Sequence, residues 1–152
     1  GDGGWVTEDS PVRNYRQLLD VEGVVRGAGG VALRLAGLYD RARGPHAVWL
    51  ANGVVEGRRD AWVNLVHYDD ASAAVVAALR APEVAGHVLL AAGAASTRGE
   101  ICQAAAPVLG RPMPSFGTAG DLGRRYDCTK TRELLGWEPR YREFAEACAV
   151  WR

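Results

Sequence analysis

The sequence predicts an α/β fold, and three observations carry that prediction. Short apolar runs of strand length alternate with segments of helical periodicity. The runs carry almost no charge, as strands buried on both faces do. Each is bounded by glycine, proline, aspartate or serine, the residues that turn a chain or cap a helix. Only about three strands are legible, fewer than the four to six of an ordinary sheet, so the chain reads as part of a larger α/β fold.

Residues 1–11, "GDGGWVTEDSP", read as a loop anchored by Trp5 and Val6. From Val12 the spacing of Tyr15, Leu18, Leu19, Glu22 and Val25 predicts a helix. Ser10 is its expected cap, Pro11 its first residue, and the glycines from Gly27 its stop. "VALRLAGLY" (31–39) predicts one buried strand and "DRARGP" (40–45) a polar loop. "HAVWLANG" predicts a short helix ending at Gly53, and "AWVNLVHY" (61–68) an alternating strand. Asp70 is then expected to cap a helix whose stripe is Ala71, Ala74, Val75, Ala78 and Leu79, ending at Pro82.

"GHVLLAAG" (86–93) predicts another buried strand. Thr97 to Glu100 has the form of a capping box opening "ICQAAAPVLG", which Gly110 closes. Residues 111–126 read as loop. Asp127 is expected to start the helix "CTKTRELLG", stopped at Gly136, and "EPRYREFAEACAVW" reads as a proline turn followed by a helix.

Composition bounds the function. The 152 residues suit one domain, and 18 basic against 18 acidic side chains give no electrostatic reason to expect nucleic acid or an anionic membrane. No apolar run approaches the roughly 20 residues of a membrane span. Cys102, Cys128 and Cys148 are widely spaced and odd in number, which predicts buried free thiols in a soluble, reducing setting and no zinc site. The chain opens Gly-Asp-Gly-Gly without an initiator Met or a signal core, which reads as a processed or partial product.

Four stretches are candidates for chemistry. "RGAGGVALRLAG" (26–37) resembles a phosphate-cradling loop, but Ala32 stands where a third glycine belongs, and a helix precedes it where a strand should. It reads as a helix stop and a turn. "NLVHYDDAS" (64–72) places Asn64, His67, Asp69 and Asp70 at a strand-to-helix junction, where α/β folds hold ligands; an ordinary helix cap is the structural alternative. "YDRARGPH" (39–46) offers arginines suited to a phosphate or carboxylate, or else a solvated loop. "TKTRELLGWEP" offers Lys130 and Arg132 on a solvated helix face and Trp137 as a packing anchor.

Together these stretches resemble one family. "GGWVTEDSP" is similar to its Trp-Val-x-Glu-x-x-Pro segment, and "VALRLAGLYD" to its Leu-Arg-x-x-Gly-x-Tyr-Gly strand. "WVNLVHYDDAS" is similar to its His-Val-x-Asp junction, and "KTRELLGWEPRY" to its Lys-x-x-x-x-Leu-Gly-Trp-x-Pro segment. The family is the extended and atypical short-chain dehydrogenase/reductases, the NAD(P)-dependent epimerase/dehydratase group; the wording is also similar to that of plant and algal Rossmann-fold proteins. The resemblance implies that residues 1–152 are the C-terminal part of a Rossmann-like parallel sheet plus the small substrate-binding helical subdomain. The N-terminal half, with the glycine fingerprint, would be supplied by the same gene product or another chain.

It also implies NAD or NADP as cofactor, with Leu35, Ala36, Gly37 and Leu38 at the cofactor wall. Tyr39, Arg43, His46, Asn64 and His67 would hold a small polar or nucleotide-linked substrate. The family's catalytic Tyr-x-x-x-Lys does not carry over. Aligning Glu22 with the family's Glu puts Asn14 and Leu18 at the two positions, and Tyr15 one residue on is followed by Leu19. The family's Tyr-Gly-Pro-Gly-Arg has become Tyr39-Asp40-Arg41-Ala42-Arg43. Two functions stay open: an epimerase/dehydratase-like or reductase-like enzyme, and a non-catalytic scaffold subunit or assembly factor in a larger complex. A plant or algal source implies the plastid stroma, any other the cytoplasm. A free-standing α/β binding domain is a third reading, opposed by the unpaired edges expected for strands 31–38 and 61–68.

Overall fold

A computed structural model describes residues 1–12 and 15–151 and shows the expected α/β class. In chain order the first half holds β1 (Trp5–Val6), α1 (Arg16–Gly27), β2 (Ala32–Leu35), β3 (Gly37–Tyr39), α2 (Pro45–Asn52), β4 (Val54–Arg58), β5 (Trp62–Val63), β6 (Leu65–His67) and α3 (Tyr68–Arg80). A 3₁₀ turn (Pro82–Val84) leads to β7 (Val88–Ala91), β8 (Ser96–Thr97), α4 (Arg98–Val108), β9 (Ser115–Gly117), β10 (Arg125–Tyr126), α5 (Thr129–Leu135) and α6 (Phe144–Val150). Four strand pairs are parallel (β1 with β10, β2 with β7, β3 with β6, β4 with β9), and β5 with β8 is antiparallel.

The run 31–39 is two strands where one was expected. Residues 32–35 pair with 88–91, and residues 37–39 pair with 65–67. The change happens at one peptide: Ala36 N donates to Ala91 O, and Gly37 N donates to Asn64 O. A Cβ on Gly37 would lie 3.0 Å from Leu65 Cδ2 and 3.3 Å from Asn64 O, so glycine permits the close approach. The run 61–68 is likewise divided at Asn64. Beyond β7, no other strand pairs with β2 among the described residues.

The first helix begins at Arg16, not at Pro11. The Ser10 hydroxyl accepts from Thr7 N and closes a local turn instead of capping a helix. Trp5 is not an anchor either, being 60% exposed. The helix stop at Gly27 and the turn that follows are as expected. So are the Gly53 cap of α2, the Thr97–Glu100 capping box of α4 and the Gly136 cap of α5. Five short strands are not expected from the sequence: β1 within the expected loop 1–11, β4, β8 and, within the expected loop 111–126, β9 and β10.

Asp70 is not the cap of α3. That role falls to His67, whose Nδ1 accepts from Asp69 N at 3.2 Å. Asp70 is buried one turn in, and its carboxylate accepts from Arg140 N (2.7 Å) and Tyr141 N (3.1 Å). Its carbonyl accepts from Trp137 Nε1. One residue thus ties α3 to the turn that precedes α6. The stripe of α3 is also narrower than expected: Ala71, Ala74 and Ala78 are buried, while Val75 and Leu79 are exposed. Alanines let the helix lie close to β7, where Ala74, Ala91 and Trp137 form one cluster.

The main core lies elsewhere. α2, α4 and α6 pack around Tyr39, Ile101, Phe144 and Trp151, a helical body beside the parallel strands. The three cysteines are buried and unpaired, and burial pushes their thiols up to about 11 for Cys102 and Cys128 and about 12 for Cys148. Asp70→Ala would strip two backbone N–H groups of a charged acceptor. We expect a loss of about 3 kcal/mol, read as a lower urea midpoint at unchanged slope, with a smaller loss for Asp70→Asn.

Candidate functional site

The glycines at 27–30 hold no anion, because their amides are already spent. Ala28 N donates to Val24 O, Gly29 N to Arg26 O and Gly30 N to Val25 O. Gly29 has φ +80°, and Gly30 O accepts from Gly86 N. The stretch is a helix stop feeding β2.

α1 is fixed to β2 by one ion pair. Arg34 Nε and Nη2 reach the two oxygens of Glu22 at 2.8 and 2.6 Å, a bidentate contact with both side chains largely covered. Arg34 holds the Glu22 carboxyl below its ordinary value, and Glu22 raises the guanidinium. Between the two elements runs a groove of about 460 Å³ lined by Tyr15, Leu18, Leu19, Leu35, Arg34 and Tyr126, among others. Both leucines that stand where the family resemblance calls for a lysine face this groove. Asn14 lies outside the described residues.

Of the expected cofactor wall, Leu35 lines the groove and is 39% exposed. Ala36 faces inward against Val66, Ala71 and Leu90; Leu38 packs beside them, and Gly37 is the crossing point. The expected substrate residues divide. Tyr39 and His46 are buried in the aromatic core: Tyr39 meets His67 and Phe144 at 5.2 and 4.9 Å, and His46 stacks on Trp151 at 5.2 Å. Burial raises the Tyr39 hydroxyl and lowers the His46 imidazole.

Asn64 is occupied as a clamp, its amide donating to Arg124 O (2.7 Å) and accepting from Tyr126 N (2.8 Å). His67 caps α3 with its ring between Tyr39 and Tyr141. While Nδ1 accepts from Asp69 N it carries no proton, so the 3.6 Å approach of Asp69 Oδ2 is not an ion pair in that tautomer. Arg43 is exposed, 6.0 Å from the Tyr68 ring, on a turn that Asp40 organises.

A second cleft, of about 600 Å³, was not legible in the sequence. Trp5, Trp62, Arg125, Arg132 and Arg142 line it, over the loop 93–95 that follows β7. Arg132, expected on a solvated face, is half-buried here. Five residues drawn from five elements or loops leave no spacing to read. Among the described residues no group of three His, Cys, Asp or Glu could hold a metal ion. No described helix is long and apolar enough to cross a membrane.

No protein-family model matches the chain, and no curated protein sequence does. Solved structures do. MoeE5 in complex with UDP-glucose and NAD is 20% identical with a TM-score of 0.79, over 99% of this chain and 59% of that one. dTDP-glucose 4,6-dehydratase from Bacillus anthracis, in complex with NAD, is 18% identical at 0.75, over 99% and 56%. A functionally unknown conserved protein from Silicibacter pomeroyi is 19% identical at 0.80, over 99% and 61%.

The fold is that of the epimerase/dehydratase structures. The chain spans about three fifths of their length. Within that fold the His46 imidazole is fully buried, and its Nδ1 has no hydrogen-bond partner. An unfolded chain takes up a proton at this residue near its ordinary value of 6.5, whereas the folded chain resists. Its contribution to stability is therefore complete above about pH 6.5 and is lost as the pH falls below it. We expect urea midpoints to drop between pH 8 and pH 5.5, and His46→Phe to flatten that drop.

Proposed function

We propose that this chain is the C-terminal part of an NAD(P)-binding, epimerase/dehydratase-like or reductase-like protein acting on a small polar or nucleotide-linked substrate. The observation that carries the reading is the groove between α1 and β2. It opens at the carboxyl end of a parallel strand, where open α/β sheets bind ligands, and Leu35 stands in its wall. The solved structures of the same fold, some in complex with NAD, add support. Leu35 and the crossing at Ala36 and Gly37 would form an apolar wall for a nicotinamide ring, with Leu38 behind them. When bound, that ring donates or accepts hydride.

The partner in this reading is the other half of the fold, in the same gene product or another chain. The edge of β2 away from β7 is its natural seat, since among the described residues no strand pairs with the backbone N–H and C=O groups along it. A plastid location and closeness to plant and algal proteins belong to the same reading, supported by sequence wording alone.

Leu18 and Leu19 favour a second reading. A lysine at either position would hold the ribose and lower the pKa of a catalytic tyrosine; a leucine does neither. The protein would then bind cofactor without turnover, as a scaffold subunit or assembly factor. Gel filtration of a native extract separates the two: a particle far above monomer mass supports the scaffold, and a monomer or dimer with NAD(P)H turnover excludes it.

Calorimetric titration of the complete protein with NADH and NADPH tests the cofactor. We expect one of them to bind, and Leu35→Glu to weaken it more than tenfold while the circular dichroism stays unchanged. No binding of either would overturn the reading.

A further inference from the structure

The residues that the resemblance assigns to the substrate are largely committed inside the protein. Tyr39 and His46 are buried, Asn64 has its amide engaged at both ends, and His67 caps a helix. The Trp–Arg cleft is the opposite case. Its guanidinium groups exceed the carboxylates that face them, and its aromatic surface is open.

Arg125 is held rigidly. Its guanidinium carbon lies 4.6 Å from the Trp5 ring and 5.0 Å from the Trp62 ring. The one hydrogen bond of its side chain among the described residues runs from Nε to Gly3 O at 2.9 Å, which leaves both Nη groups to donate. Arg142 and Arg132 share a single carboxylate. Arg142 Nη2 reaches Glu138 Oε2 at 3.2 Å, and Arg132 Nε stands 3.7 Å from the same oxygen, buried and without an acceptor.

Asp127 also lines the cleft, but its Oδ1 is taken by Thr129 N and Thr129 Oγ1 at 3.0 and 2.6 Å. Three guanidinium groups therefore face two carboxylates, an excess of one positive charge.

The backbone is shaped to present Arg142. A Cβ on Gly93 would lie 2.8 Å from Arg142 O, so only glycine lets the two strands of chain touch there. Ala94 N then donates to Arg142 O at 2.7 Å. Trp5, at the other side, is 60% exposed, an unusual state for the largest apolar side chain. A cation lies over its ring, and the rest of the ring is available for stacking. A volume of about 600 Å³ suits a small molecule.

We propose that this cleft binds a planar aromatic anion, its ring stacked on Trp5 and its phosphate or carboxylate held by Arg125, Arg132 and Arg142. The inference rests on the proposed function only in calling that ligand a substrate; the binding follows from the cleft itself.

Minimal probes test it on the complete protein by calorimetry: phenyl phosphate, benzoate, phenol, inorganic phosphate and glucose 1-phosphate. Phenyl phosphate is expected to bind at least tenfold more tightly than phenol, inorganic phosphate or glucose 1-phosphate. Benzoate against phenyl phosphate tells which anion the arginines prefer. Trp5→Ala and Arg142→Gln, both changes at exposed side chains, should each weaken phenyl phosphate at least tenfold without altering the melting temperature. Equal affinity for phenyl phosphate and inorganic phosphate, affinity for glucose 1-phosphate as high as for phenyl phosphate, or unchanged binding in both variants would overturn the proposal. Binding of NADH or NADPH without phenyl phosphate sinks the cleft alone. Phenyl phosphate without either nicotinamide sinks the cofactor reading and leaves the cleft standing.

Discussion

The structure depends on a single crossing. Between Ala36 and Gly37 one strand lets go of β7 and takes hold of β6, through two consecutive amides that donate to Ala91 O and Asn64 O. Everything nearby inherits its position from that exchange. Upstream, Leu35 is left at the open end of the β2–β7 pair, in the wall of the groove. Downstream, Tyr39 is delivered into the helical body, against Phe144 and His67. A residue larger than glycine at 37 would push against Leu65 and the Asn64 carbonyl. It would separate the two halves that the crossing joins.

Asn64 extends the same constraint. Its carbonyl receives Gly37 N, while its side chain grips the backbone on either side of Arg125. Arg125 is thereby placed between Trp5 and Trp62. Asp70 does the corresponding work on the other side, accepting from Arg140 N and Tyr141 N just before Arg142. Two side chains read from the sequence as ligand contact and helix cap are thus braces for the arginines of the second cleft. Polar groups at a strand-to-helix junction serve either purpose, and only their partners decide which.

What was legible in the sequence is local. The capping box at Thr97, the left-handed glycines at 53 and 136 and the buried run 88–91 are each written within a few residues, and each is found in place. What was not legible is pairing. β9 and β10 are two or three residues long, and they are strands only because β4 and β1 lie beside them. Asp70 looked like a cap because an aspartate before an alanine-rich helix usually is one. Its true acceptor role depends on residues 70 positions away. The arginine cleft has the same character, since Trp5 and Arg142 have no neighbourhood in sequence.

α1 shows where local and long-range logic meet. None of its residues is buried, and Leu18, Leu19, Val21, Val24 and Val25 are apolar and exposed. An amphipathic helix with one partner carries one apolar stripe. This helix has a polar tie to β2 through Glu22 and Arg34, and Leu18 and Leu19 face the open groove beside that tie. The ion pair holds the helix in register with β2, but it does not supply the burial that makes a helix of 12 residues stable. That burial has to come from a second surface. Under the proposed function the surface is the other half of the fold, and the same docking would close the groove that Tyr15, Leu18, Leu19 and Leu35 leave open. Cofactor binding and the ordering of α1 would then be one event.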